Sequence, residues 1–429
     1  MNRRFDPAGP LRGTLRPPPD KSISHRAALI GAMSEGDTMI ENFLDAADTR
    51  STLAAIGAVG ASVESEAQHA ALQIGVRGPG LRNATSADVD VGNAGTLLRI
   101  LPGWLAGQRE GRWTLDGDES IRGRPVDRVV EPLARMGARV ECREGRLPPL
   151  HVEAGSLTGI EYRLPLASAQ VKSCVLLAGL LAEGETTVIE PAPSRDHTER
   201  MLTDAGAEIE VASGRITVGR TDGLSFERYT VPGDISSAAF PLVATLLVGG
   251  SEIELVGVGL NPTRCGLLTI LERMGAALEV EQGEAPGGEP QGALRARSST
   301  LAGTEVGGDE VPLAIDELPL VALAGCFAEG ETVIHDAGEL RHKESDRIAA
   351  VCEGLEALGG DAEPSDDGMV VRGGGLRGGT LDARGDHRMA LLGAVAGLAS
   401  REGVTVRGFE VAKVSYPGLE RDLETLMSR

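Results

Sequence analysis

A chain of 429 residues with 41% hydrophobic and 24% charged side chains is long enough for two or three cores and too apolar for intrinsic disorder. Its formal charge of -21 repels nucleic acid and anionic lipid, so neither is expected as a partner. The longest apolar stretches, such as Leu391 to Ala399, fall far short of the roughly 20 residues that a spanning helix needs.

The arginines of Met1 to Gly13 have no apolar stretch behind them, which is not the pattern of a signal peptide, and the cytoplasm is the expected compartment. Cys142, Cys174, Cys265, Cys326 and Cys352 are odd in number, widely spread and free of CxxC pairs. They read as buried, reduced thiols rather than a disulfide framework or a zinc cage.

Along the chain one grammar recurs six times: an apolar helix, an exposed glycine, a β-branched strand, a polar loop, an amphipathic helix and a Gly-Ala type turn into another strand. The strands start at GDTMIEN (Gly36), GRWTLDG (Gly111), GETTVIE (Gly184), GSEIELV (Gly250), GETVIHD (Gly330) and GVTVRGF (Gly403), 66 to 80 residues apart by subtraction. The second helix and its turn recur as LAAIGAVGASVE, EPLARMGARVE, MLTDAGAEIE, LERMGAALEV and LEALGGDAE, and the last copy stops at LETLMSR. Alternating helices and strands imply an α/β fold. Six copies divide into two domains of three repeats: residues 20–231, and residues 232–429 joined by 1–19, which precede the first full unit. The active site is expected in the cleft between the domains.

Polar residues of helix N-cap type precede the first helix of each repeat: Asp20, Lys21 and Ser22; Asn93, Gly95 and Thr96; Ser168, Ala169 and Gln170; Asp234, Ser236 and Ser237; Asp316 and Glu317; Asp386, His387 and Arg388. Capping alone explains any one of them. Together they predict a set of helix N-termini whose free N–H groups and partial positive charge suit phosphate or carboxylate. Basic islands add to this: DKSISHR with Arg26 four residues past Ser22, the GRP turn with Arg124, SRDHTE with Arg195, and GDHR with Arg388. HKESDR is read as one helical face carrying Lys343, Glu344 and Arg347. An acidic protein can hold anionic ligands by such local means. Asp196, His197 and Glu199 look superficially like metal ligands, but no H-x-x-x-H pair accompanies them, and neither metal nor cofactor is expected.

PPPDKSISHRA, GNAGTLLR, GDESIRGRPVDR, SAQVKS, RDHTE, PGDISSAAF, NPTR, DELP, LRHKESDR and GDHRMA, in that order and over nearly the whole chain, resemble the motifs of the 5-enolpyruvylshikimate-3-phosphate synthase family. The resemblance implies a two-domain inside-out α/β barrel with three βαβαββ units in each domain. It also implies a monomeric enzyme of aromatic amino acid biosynthesis and a glyphosate target, acting without cofactor on two small molecules, shikimate 3-phosphate and phosphoenolpyruvate. Carried over by motif, the shikimate 3-phosphate site comprises Lys21, Ser22, Arg26, Ser168, Ala169, Gln170, Ser194, Arg195, Asp316 and Lys343. The phosphoenolpyruvate site comprises Lys21, Asn93, Gly95, Arg124, Gln170, Arg347 and Arg388, with Lys413 filling a role that many relatives give to a lysine immediately before the Ser/Thr-aromatic-Pro motif. The family's addition and elimination would use Asp316 as base toward the 5-hydroxyl, Glu344 at C3 and Lys21 near the leaving oxygen.

This chain also departs from the pattern of some relatives. Ala169 stands where they have serine and His197 where they have tyrosine, features of a class often less inhibited by glyphosate. Gly95, in contrast, is the small residue whose replacement by alanine narrows the inhibitor's pocket. The related UDP-N-acetylglucosamine enolpyruvyl transferases carry a reactive cysteine in a GGCAIGARP loop, where this chain has GDESIRGRP with Glu119.

Overall fold

The computed structural model describes residues 1–68 and 71–428 and separates the chain into two compact units. One contains Pro19–Val231 together with Ala285–Glu289, and the other contains Met1–Pro18, Pro232–Glu284 and Pro290–Arg429. Each has its own hydrophobic core. The five-residue segment Ala285–Glu289 comes from the second half of the sequence but packs with the first-half unit: Glu289 meets His197 Nδ1 at 2.7 Å, and Arg200 donates to the Gly288 carbonyl at 2.9 Å.

Five of the six sheets among the described residues share one strand order. In the first repeat, Arg228–Thr230 lies parallel to Asp37–Phe43, which pairs antiparallel with Ala71–Arg77, whose far side takes Ser62–Gln68. The sheet of the fourth repeat takes its parallel outer strand, Arg12–Leu15, from the start of the chain. The sixth has three strands, Gly379–Asp382, Val404–Arg407 and Asn2–Phe5, so the amino-terminal strand supplies the antiparallel partner. Its second helix, Leu419–Met427, is the last described element and no edge strand follows it.

All six glycines at the strand starts have positive φ, between 76° and 136°, as do Gly60, Gly137, Gly206, Gly275 and Gly359 after the second helices. Each reverses the chain in a left-handed conformation that a Cβ disfavours, which is why the repeat is written in glycine.

The first helices, Lys21–Met33, Gly95–Ala106 and Ala169–Gly179 in one unit and Ile235–Leu247, Leu318–Gly325 and His387–Ala399 in the other, are buried almost all round and pack on one another inside their unit. Helices apolar on every side belong in an interior. A Cβ on Gly103 would lie 2.1 Å from the Cys174 carbonyl oxygen, so two of these helices approach at backbone distance. Three of them also set a glycine against the threonine seven residues on, Gly31 with Thr38, Gly179 with Thr186 and Gly325 with Thr332, which seats helix on strand. No helix among the described residues is long and apolar enough to cross a membrane.

Candidate active site

In the first-half unit, three N-termini of buried helices carry most of the predicted residues. Asp20 caps Lys21–Met33 by accepting from the Ile23 N–H at 2.8 Å. The helices starting at Gly95 and Ala169 follow Ala94 and Ser168, neither of which makes a side-chain cap. On the first of these the Gly95 N–H already donates to the Asn93 carbonyl at 2.9 Å, so the N–H groups suited to an anion there are those that follow it in the first turn.

Lys21 Nζ lies 3.3 Å from Asp48 Oδ2. Arg26 is buried; it donates to the Ser22 carbonyl at 3.0 Å, to Thr198 Oγ1 at 2.8 Å and to Ser173 Oγ at 3.0 Å. Burial pulls its pKa down to about 10. Glu199 opposes that shift, and the neighbouring positive charge of Arg195 adds to it. Arg195 is thus electrostatically close to Arg26, and Ser194 beside it donates to Glu190.

A second group forms around Gly95. Arg124 Nη2 donates to Asn93 Oδ1 at 3.2 Å and to Ser120 Oγ at 3.1 Å, and a Cβ on Gly95 would lie 2.8 Å from Arg124 Nη1. Gln170 reaches across from the next central helix, donating to Thr96 Oγ1 and accepting from Arg99 Nη1, both at 3.1 Å.

In the other unit, Asp316 is the hub. Lys343 Nζ lies 3.7 Å, Arg347 Nη1 3.3 Å and Arg388 Nη2 3.9 Å from its carboxylate. Arg347 is 1% exposed and also binds Glu344 and Asp386, the latter through Nε at 2.8 Å. Burial pulls its pKa down, but the charges of Glu344, Asp386 and Asp316 outweigh that and hold it above the ordinary arginine value. Arg388 Nη1 is 3.5 Å from Glu317, and Glu317 itself accepts from Ser236.

HKESDR is not one helical face. Lys343 and Glu344 precede the helix Arg347–Ala357, because Asp346 caps it by accepting from the Ala349 N–H at 3.1 Å and so sets its start at Arg347. Glu344 reaches Arg347 from the bend that precedes the helix. Lys413 is exposed on the 3-10 turn Phe409–Val414 and is not brought to the Asp316 group by any hydrogen bond or ion pair among the described residues.

Asp48, Arg99, Lys172, Glu317 and Asp386 contact the predicted residues; the sequence marks Glu317 and Asp386 as N-cap types but none of the five as a ligand contact. Arg99 had a readable signal, standing four residues past Gly95 on one helix face, while the other contacts are long-range. Asp196, His197 and Glu199 are turned to Arg200, Glu289 and Lys172 respectively, and the described residues contain no group of three or more side chains suited to a metal. A cavity of about 580 Å3 in the first-half unit lies elsewhere, at the C-terminal ends of its central helices, lined by residues such as Ser34, Gly107 and Leu181 and by none of the predicted ones.

The family model described as EPSP synthase (3-phosphoshikimate 1-carboxyvinyltransferase) matches residues 5–423. A 3-phosphoshikimate 1-carboxyvinyltransferase of Thermus thermophilus is 50% identical over 98% of this chain and 97% of its own length, and that of Synechococcus sp. strain JA-3-3Ab is 49% identical over 99% and 96%. The 2.37 Å structure of EPSP synthase from Acinetobacter baumannii superposes with a TM-score of 0.89 at 39% identity, covering 99% of this chain and 98% of that one. With the six-repeat fold, these likenesses establish that the chain belongs to the EPSP synthase (3-phosphoshikimate 1-carboxyvinyltransferase) family.

Proposed function

We propose that both groups of residues bind the two substrates and that the proton transfers fall to Asp316 and Glu344, with Lys21 beside the leaving oxygen. The chain transfers the enolpyruvyl group of phosphoenolpyruvate to shikimate 3-phosphate in the shikimate pathway. In the first-half unit, Ser22, Arg26, Ser168, Ala169, Gln170, Ser194 and Arg195 take shikimate 3-phosphate, and Asn93, Gly95, Arg124 and Gln170 take phosphoenolpyruvate, with Lys21 serving both. In the other unit Arg347 and Arg388 complete the phosphoenolpyruvate set, and Lys343 and Asp316 meet the acceptor. Planar guanidinium forks suit carboxylate and phosphate.

The single observation carrying this reading is the Asp316 group, where three cations lie within 4 Å of one carboxylate and Glu344 sits on the same arginine. In the addition step, the 5-hydroxyl oxygen attacks C2 of phosphoenolpyruvate, Asp316 takes the hydroxyl proton and Glu344 delivers a proton to C3. In elimination, Glu344 takes a proton back from C3, that electron pair re-forms the C2=C3 double bond as the C2–O bond to phosphate breaks, and the leaving phosphate oxygen, beside Lys21, receives the proton that Asp316 had accepted. General acid and base groups placed in this way contribute about 10²- to 10⁴-fold each. The same reading has the chain working in the cytoplasm as a monomer on two small anions.

Replacing Glu344 by Gln keeps the shape and removes the proton carrier. The expected result is a kcat at least about 100-fold lower, with substrate KM values changed only a few-fold. A variant with unaltered kcat would remove Glu344 from the mechanism.

A further inference from the structure

Lys172 has no part in the chemistry above, yet it is 1% exposed in the first turn of Ala169–Gly179, two residues from Gln170. Its ammonium has partners at three points along one stretch of chain. Glu190 Oε2 lies 2.9 Å away where the strand Thr186–Ile189 ends, the Ser194 carbonyl oxygen 3.3 Å away, and Glu199 Oε1 2.7 Å away in the first turn of His197–Asp204. Glu190 uses its other oxygen to accept from the Ser194 hydroxyl. Residues 190–196 are neither helix nor strand, so side-chain anchors decide where this segment sits.

Glu199 is adjacent to Thr198, whose hydroxyl accepts from Arg26 and pairs with Ser173 Oγ at 2.6 Å. One ammonium therefore braces the segment bearing Ser194 and Arg195 and, one residue from Glu199, a partner of Arg26. A buried cation with two carboxylates is a poor source of net stability, since well-packed apolar residues often do as well or better.

We propose that Lys172 is a positioning residue for shikimate 3-phosphate, tying Glu190, the Ser194 carbonyl and Glu199 together so that Ser194, Arg195 and Arg26 are presented in register. The inference rests on assigning those three residues to that substrate.

Lys172→Met alone strands two buried carboxylates and can fail to fold. The informative variants are therefore Lys172→Met with Glu199→Gln, which keeps the cluster at one negative charge, and Glu190→Gln, which frees the segment while leaving Lys172 paired. Steady-state kinetics for both substrates, with a urea midpoint to verify folding, provide the test. In the folded variants KM for shikimate 3-phosphate should rise about tenfold, while KM for phosphoenolpyruvate and kcat stay within about threefold. Unchanged KM values in either folded variant, or equal rises for both substrates, would overturn the proposal. Arg195→Ala serves as the control: if it leaves KM for shikimate 3-phosphate unaltered, the underlying site assignment fails, whereas a rise there without one in the Lys172 and Glu190 variants sinks only the role of Lys172.

Discussion

Alanine at position 95 is a small change with a calculable consequence. Gly95 opens its helix without positive φ, so the backbone accepts a side chain there, and alanine gains up to about 1 kcal/mol of helix propensity over glycine. The added Cβ would stand 2.8 Å from Arg124 Nη1 and 3.4 Å from Arg99 Nη1, so the Arg124 guanidinium must retreat by about 0.6 Å to reach ordinary contact at roughly 3.4 Å. Its hydrogen bond to Asn93 already measures 3.2 Å, and the retreat breaks it or turns it away. A hydrogen bond to a charged group is worth about 1.5–3 kcal/mol, and half-burial of Arg124 brings that down to roughly 1 kcal/mol. The expected outcome is KM for phosphoenolpyruvate raised about fivefold, with KM for shikimate 3-phosphate and the thermal midpoint unchanged or the midpoint slightly higher. The assay is two-substrate kinetics beside a melting curve. A folded variant whose KM for phosphoenolpyruvate stays within twofold, or rises only in step with that for shikimate 3-phosphate, would refute the placement of Arg124.

Two further outcomes follow from buried charge. Asp386→Asn keeps a helix cap but withdraws the carboxylate from Arg347, so urea unfolding should show a loss of about 2–4 kcal/mol, tempered because Glu344 and Asp316 remain; an unchanged midpoint contradicts this. His25 is pushed down to about 3 by burial, with the charges of Lys21 and Arg26 adding and Asp20 opposing. Between the ordinary 6.5 and about 3 the unfolded chain therefore binds more protons than the folded one. The stability present above 6.5 is lost as pH falls, at up to about 1.4 kcal/mol per pH unit. His25→Gln should flatten the plot of urea stability against pH between 6.5 and 4 by about that slope, and an unaltered slope assigns the acid sensitivity to other groups.

The repeat was legible because its punctuation is conformational: glycine stands wherever the backbone turns left-handed, and that need is written locally. Helix starts were legible where a polar side chain caps them, as at Asp20, Asp234 and Asp386. A spacing of four does not make HKESDR helical, because Asp346, a capping residue inside the same motif, starts the helix after Lys343 and Glu344. What local sequence does not encode is pairing over distance. Lys172 meets Glu190 and Glu199, Glu317 meets Arg388, and Ala285–Glu289 joins a unit built mainly from the first half of the chain. Each is an ordinary charged or glycine-rich stretch until the fold brings its partner alongside.

The most direct test of the central claim is phosphate release by purified protein given phosphoenolpyruvate with shikimate 3-phosphate, beside a parallel reaction offering UDP-N-acetylglucosamine as acceptor. Release with the first acceptor and none above background with the second is the predicted result. No release with shikimate 3-phosphate, or release with the sugar nucleotide instead, would contradict it.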